Sequence, residues 1–209
     1  MTDHTGARLS GWMPGLHLSE EGQRQAKGLA ERLGPVPVDA LYASPLERCQ
    51  ETAAAVAEAK GLEVQTLEDV GEVRYGAWTG RTLKELGREP LWKVVQTTPS
   101  AARFPEGESL FEMQARAVLA VERLRGAHPR RTVAVCSHAD VIKALVCHYL
   151  GMHLDLFQRV VVSPASVTAI AFGPVPYLVR LNDIGGNGDL VPARRPRRRK
   201  RGEAASAEP

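Results

Sequence analysis

Three residues of this chain have types and settings suited to phosphate chemistry: His138, Arg48 and Glu72. His138 follows Thr132-Val-Ala-Val-Cys-Ser137, whose uncharged, β-branched core reads as a buried strand of a parallel sheet. From Val141 onward the apolar positions take helical spacing, with Val141, Ile142, Leu145, Val146 and Tyr149 on one face. Ser137-His138-Ala139-Asp140 therefore lies where the carboxyl end of a strand meets a helix start. Open α/β sheets bind ligands at that edge, and helix N-termini favour anions there. An imidazole in this turn can bond a phosphate, or can serve the turn alone.

Arg48 reaches the same edge by the same reasoning. A strand over 38–43 precedes Ser44-Pro45-Leu46-Glu47, which offers an N-cap, a first-turn proline and a capping-box glutamate. The helix so opened runs to Lys60 and stops at Gly61, and Arg48 sits in its first turn. A cation there opposes the helix dipole, so either it pairs with Glu47 or Glu51, or it contacts an anion bound at the helix start. Glu72 occupies a loop rich in glycine and aromatic residues, 68–80. It is either a solvated loop acid or a general acid/base in a site shared with the other two.

The remaining elements must hold these three in place. Ser19 caps a helix over 20–33, and a strand at 62–66 leads into the Glu72 loop. Residues 81–105 form a short insertion with one or two helices, and the capping box Ser109-x-x-Glu112 opens a helix to about Arg125. Strands follow at 166–172 and 177–183. Alternating strands and helices in a chain of 209 residues, 44% hydrophobic, make one α/β domain over 1–184.

Charge is unevenly spread. Residues 194–201 carry seven positive charges, and Glu203 and Glu208 offset two. The last sixteen residues thus hold +5 of a net +3, leaving −2 for the rest. Residues 185–209 read as a disordered basic tail. Its nucleic-acid contacts are expected to be unspecific, so the basic balance makes no nucleic-acid binder of the domain. Cysteines 49, 136 and 147 are odd in number and lack CxxC spacing, which reads as free thiols in a reducing compartment without a zinc site. No apolar run reaches the roughly 18 residues of a membrane span, and the polar N-terminus has no signal-peptide core. A cytoplasmic protein is expected.

Five stretches, in order, resemble the histidine phosphatase superfamily, in its phosphoglycerate-mutase-like group. They are Ser10-Gly-Trp with Leu18-Ser-Glu-Glu-Gly22, Tyr42-Ala-Ser-Pro-Leu-Glu-Arg48-Cys-Gln-Glu-Thr52, Glu72-Val-Arg-Tyr-Gly-Ala-Trp-Thr-Gly80, Pro105-Glu-Gly-Glu-Ser109, and Val135-Cys-Ser-His138 with Ser166-Val. The resemblance implies a three-layer α/β/α sandwich with a mostly parallel central sheet. It also implies a phosphohistidine mechanism on a small phosphorylated substrate, without metal or cofactor. Arg48 would bind the phosphoryl group, Glu72 would donate the proton, and His138 would bond the phosphoryl oxygens. Thr2, Thr5, Ser10, Gly11, Tyr75 and Ala139 would line the substrate. Ala139 stands where the family usually has glycine, and Thr5 stands where glycolytic mutases carry asparagine.

The family's nucleophilic histidine belongs to an Arg-His-Gly motif at the end of its first strand, and this chain contains no such motif. Alignment puts that strand ahead of Met1, and neither His4 nor His17 follows an apolar strand. Losing about ten ladder bonds at roughly 1 kcal/mol each would rival a domain's whole stability of about 5–15 kcal/mol. The expectation is therefore a natural protein that starts upstream and acts as a phosphatase, the present chain being inactive. A phosphomutase or a non-catalytic phospho-ligand binder is the alternative.

Overall fold

The structure is a computed structural model that describes residues 1–185. The basic run expected to be disordered lies outside the described residues.

Local signals in the sequence set most of the helices. Helix α1 (Glu20–Leu33) starts at Ser19, whose side chain accepts from the Gly22 N–H, with Glu20 and Glu21 at its positive end. It buries Gly22, Ala26, Leu29 and Ala30, one face at helical spacing. Strand β1 (Ala40–Ala43) leads to α2 (Glu47–Lys60), closed by Gly61 in the left-handed region at φ 63°. Strand β2 (Val64–Thr66) precedes the Glu72 loop, and the insertion forms α3 (Leu83–Leu86) and α4 (Pro90–Thr97). The expected capping box opens α5 (Leu110–Ala127), with both Ser109 and Glu112 bonds made. Strand β3 (Val133–Cys136) and α6 (Ala139–Tyr149) follow, then β4 (Val167–Phe172) and β5 (Pro176–Asp183). No described helix is long and apolar enough to cross a membrane.

The start of α2 departs from expectation. Its N-cap position is Leu46, which makes no side-chain cap bond. Ser44 does not cap it: the hydroxyl accepts weakly from the Leu46 N–H and bonds a histidine instead. Glu47 closes no capping box either, because its carboxylate accepts from the Gly15 N–H at 2.9 Å.

β2, β1 and β3 form a parallel sheet in that order, with Leu41 opposite Val64 and Ala134 and with Ala43 opposite Cys136. Because side chains alternate along a strand, Leu41, Ala43, Ala134 and Cys136 share one face. They pack there with Leu29 and Ala30 of α1 and with Ala53, Val56 and Ala57 of α2. Tyr42 points the other way and reaches His128, at the end of α5, with 2.9 Å between Oη and Nε2. Helices thus cover both faces, as an α/β sandwich requires. The mostly parallel central sheet is nevertheless divided: β4 and β5 pair antiparallel with each other, apart from the three parallel strands.

A second core joins α4, α5 and α6 to the loop after Glu72. Val73, Tyr75, Trp78, Phe104, Met113, Val141 and Phe157 are all buried in it. Phe104 stacks edge-on against Tyr75 and Trp78, at 4.9 and 5.4 Å between ring centres. Main chain meets main chain here: the Ala77 N–H donates to Pro105 O and the Glu108 N–H to Arg74 O. A Cβ on Gly76, at φ 53°, would lie 2.1 Å from Pro105 O. Gly76→Ala is therefore expected to destabilise by about 2 kcal/mol or more, since it adds φ strain to a backbone clash. Gly28, in α1, has open space around its Cβ direction. Gly28→Ala should raise stability by about 0.5–1 kcal/mol. Urea unfolding of the two variants checks both signs.

Candidate active site

Arg48 and His138 come together because their strands are neighbours in register. Ala43 pairs with Cys136, and each strand ends into a helix start at the same sheet edge. His138 is the N-cap residue of α6, with extended backbone at φ −114° and ψ 157°. It makes no side-chain cap bond; the ring lies in the interior instead, where the residue is 6% exposed.

The Arg48 guanidinium donates from Nη2 to Gly11 O at 2.9 Å and to His138 Nδ1 at 3.2 Å. A guanidinium has no acceptor, so Nδ1 must accept, and the ring proton lies on Nε2. Nε2 accordingly donates to Ser44 Oγ at 2.8 Å, with Cys49 Sγ 3.5 Å away. Among the described residues no carboxylate forms an ion pair with Arg48 in the way a surface pairing would require. Glu47 is occupied with Gly15, and Glu51 with His17 and the Leu18 N–H. The other guanidinium nitrogen, Nη1, is buried without a hydrogen-bond partner among the described residues.

Glu72 is no solvated loop acid: its side chain is only 15% exposed, and Oε2 lies 3.9 Å from His138 Nδ1. Its loop is pinned by Arg116 of α5, which donates to the carbonyls of Asp69, Gly71 and Glu72 at 2.8–2.9 Å. Arg116 is itself held by Glu108 in a largely buried ion pair at 2.6 Å. Trp12 adds an indole N–H bond to Glu72 O. Burial, then repulsion from Asp140, raises the Glu72 carboxyl to about 7, while the Val73 N–H, Arg48 and Arg116 pull the other way.

A cavity of about 560 Å³ is lined by Arg48, Glu72, His138, Thr2, Thr5, Ser10, Tyr75 and Ala139. Of the nine residues expected at the site, only Gly11 is absent from the lining. Its part is to hold Arg48 through its carbonyl, at φ 51° and close against Thr79 and Tyr75. Thr2 is buried and bonded through its N–H to Thr5 Oγ1, whereas Thr5 itself is exposed. Ser10 Oγ lies 3.5 Å from His4 Nδ1, and Tyr75 Oη donates to Asp140 at 2.8 Å. Sequence reasoning missed Ser44, Arg116 and Asp140 as members of this site. Only the Ser44 position carried a signal, and that signal was read as a helix cap.

Taken together, this is an α/β protein with an anion-receptive pocket at the carboxyl edge of a parallel sheet. The family model of the histidine phosphatase superfamily (branch 1) matches residues 1–184, and the chain belongs to that family. It is 36% identical over 156 residues to phosphoserine phosphatase 1 of Hydrogenobacter thermophilus, covering 73% of this chain and 74% of that protein. A probable phosphoglycerate mutase of Photorhabdus laumondii is 27% identical over 177 residues, covering 83% and 82%. Among solved structures, Bacillus stearothermophilus YhfR superposes with a TM-score of 0.82 at 27% identity, covering 88% of this chain and 93% of that one. The mycobacterial glucosyl-3-phosphoglycerate phosphatase gives 0.79 at 25% identity, over 88% and 94%.

Two measurements follow from this geometry. Folded Glu72 keeps its proton to about pH 7, while the unfolded carboxyl releases it near 4.5. Stability therefore falls as pH rises across that window, by an amount on the order of 3 kcal/mol. Urea midpoints at pH 5 and pH 8 should differ in this sense for the native chain, and the difference should shrink in Glu72→Gln. Ser44→Ala removes the oxygen acceptor of the buried His138 Nε2, leaving only the weaker Cys49 sulfur nearby, and should cost about 1–3 kcal/mol. Nitrogen-15 spectra should show His138 as the Nε2–H tautomer in the native chain and lose that preference in the variant.

Proposed function

We propose that this chain is the body of a phosphatase that acts on a small phosphorylated metabolite, with water as the final acceptor. The observation that carries the reading is Arg48 Nη1, a buried guanidinium nitrogen without a partner beside His138. A phosphoryl oxygen at the cavity's polar end supplies both the missing acceptor and the missing counter-charge. Arg48 and His138 then hold the phosphoryl oxygens, and Thr2, Thr5, Ser10 and Tyr75 border the rest of the substrate. Water enters readily because the 81–105 insertion is short, which favours hydrolysis over phosphomutase transfer.

Chemistry of this class needs a nucleophile, and an imidazole from an Arg-His-Gly segment encoded ahead of Met1 suits it. The divided sheet supports that source: among the described residues β3 is paired only on its β1 side and β4 only on its β5 side. Leu29, Leu41, Ala134, Val167 and Ile170 line the cavity there, an apolar slot suited to one more strand. Such a strand would join the two sheets and bring its carboxyl end to the edge that holds Arg48 and His138. The imidazole would attack phosphorus as the P–O bond breaks, and Glu72 would hand its proton to the leaving oxygen. Water would then break the P–N bond, returning a proton to Glu72 and releasing phosphate.

The relatives suggest the substrates to try first: phosphoserine, phosphoglycerate and glucosyl-3-phosphoglycerate. The chain extended upstream to its next in-frame start should hydrolyse one of these, and substitution of the added histidine should abolish turnover. Both forms should bind inorganic phosphate by phosphorus-31 titration, and Arg48→Ala should weaken that binding about 10- to 100-fold. An extended protein that binds phosphate but never hydrolyses would favour the non-catalytic binder. Absence of phosphate binding in both forms would overturn the reading.

A further inference from the structure

A single four-residue turn touches both halves of the site. Ser10-Gly11-Trp12-Met13 is closed by the Met13 N–H on Ser10 O at 3.0 Å. Gly11 takes φ 51° there, the left-handed region that favours glycine. Its carbonyl accepts from Arg48 Nη2 at 2.9 Å and so holds the guanidinium. One residue further on, the Trp12 indole crosses to the acid loop and donates from Nε1 to Glu72 O at 2.5 Å.

Three consecutive contacts seat that indole on the residues flanking Glu72. Its N–H is on Glu72 itself, and Gly71 lies so close that a Cβ there would collide with the ring. The Arg74 guanidinium stacks over the ring, 4.0 Å from its centre. Trp12 is only partly buried and lies outside both hydrophobic clusters, so these contacts serve the loop rather than a core. Arg116 ties the same segment to α5, whereas Trp12 ties it to the turn that carries Arg48. The Glu72 side chain follows its main chain closely, because Oε1 accepts from the Val73 N–H at 3.0 Å.

We propose that Trp12 is a positioning residue for the proton donor: its indole, rooted in the turn that holds Arg48, fixes Glu72 relative to the phosphate-binding guanidinium. The inference rests on the reading that Glu72 is the general acid. A proton passes to the leaving oxygen only within hydrogen-bond reach, so a small displacement of the loop lowers the rate steeply.

Trp12→Phe keeps a ring for Gly71 and Arg74 but removes the N–H. Glu72 O retains its Arg116 donor, so no buried carbonyl is orphaned. No charge changes either, since Arg48, Arg116, Asp140 and His138 all stay. On the chain as it stands, carbon-13 titration should show the Glu72 midpoint falling by about half a pH unit or more as the loosened carboxyl gains solvent. Trp92→Phe, a like truncation beside Trp78 in the second core, should leave that midpoint in place.

In the upstream-extended protein, Trp12→Phe should lower kcat about 10-fold or more on an alkyl phosphate such as phosphoserine. On p-nitrophenyl phosphate, whose leaving group needs little protonation, the loss should be about twofold or less. Equal losses on the two substrates, or an unmoved Glu72 midpoint in folded Trp12→Phe, would overturn the proposal. So would a Trp92→Phe shift as large as that of Trp12→Phe. Free solvent exchange of the Trp12 indole proton in the native chain would overturn it too, whether or not the variant folds. Failure of the phosphatase reading shows separately, as an extended protein that hydrolyses neither substrate while the midpoint shift and the indole protection persist.

Discussion

The site is built around a guanidinium that the fold half-buries with no ion-pair partner among the described residues. Arg48 spends one nitrogen on Gly11 O and on His138 Nδ1, both uncharged acceptors, and leaves another with nothing. A cation removed from water and left unpaired costs several kcal/mol, which a folded chain tolerates only where something else is returned. Here the return is readiness. The donors already stand where an oxyanion's charge would lie, so no reorganisation is needed when it arrives. Ser44 belongs to the same arrangement, because its hydroxyl fixes the ring of His138 and leaves Nδ1 on the Arg48 side.

Around that centre, backbone carbonyls do more than side-chain ion pairs. Arg116 gathers three carbonyls of the 69–72 segment and thereby sets where Glu72 can reach. Glu108 holds Arg116 from behind, and Gly76 and Gly107 let the two segments touch main chain to main chain. Ion pairs such as Arg24–Glu21 and Arg125–Glu122 lie on exposed helix surface, where such contacts contribute little. The difference in burial explains why one arginine organises the site and the others decorate a surface.

The divided sheet and the pocket are one feature seen from two sides. The apolar slot between β3 and β4 opens into the polar end that holds Arg48, Glu72 and His138. Val135 and Cys136, in a strand whose composition is that of a buried one, remain only partly covered. The superposition on solved relatives extends over 88% of the chain, so the layers on either side of this slot keep the family's arrangement.

What the sequence determined by itself were the features that depend on near neighbours in the chain. Ser19, the Ser109-x-x-Glu112 box and Gly61 mark helix ends because caps bond within one turn. The strand-to-helix turns at Arg48 and His138 were legible for the same reason, and five ordered motifs identified the family. Tertiary structure alone decided the contacts between distant segments. Ser44 carries a helix-cap signature, yet its hydroxyl goes to a histidine 94 positions away, which no local pattern encodes. Arg116 and Asp140 look like solvated helix residues in the sequence; only packing shows one pinning the Glu72 loop and the other accepting from the buried Tyr75 hydroxyl. Charge and hydrogen-bonding groups have no periodicity of their own, so their partners become known only when the folded chain brings them within reach.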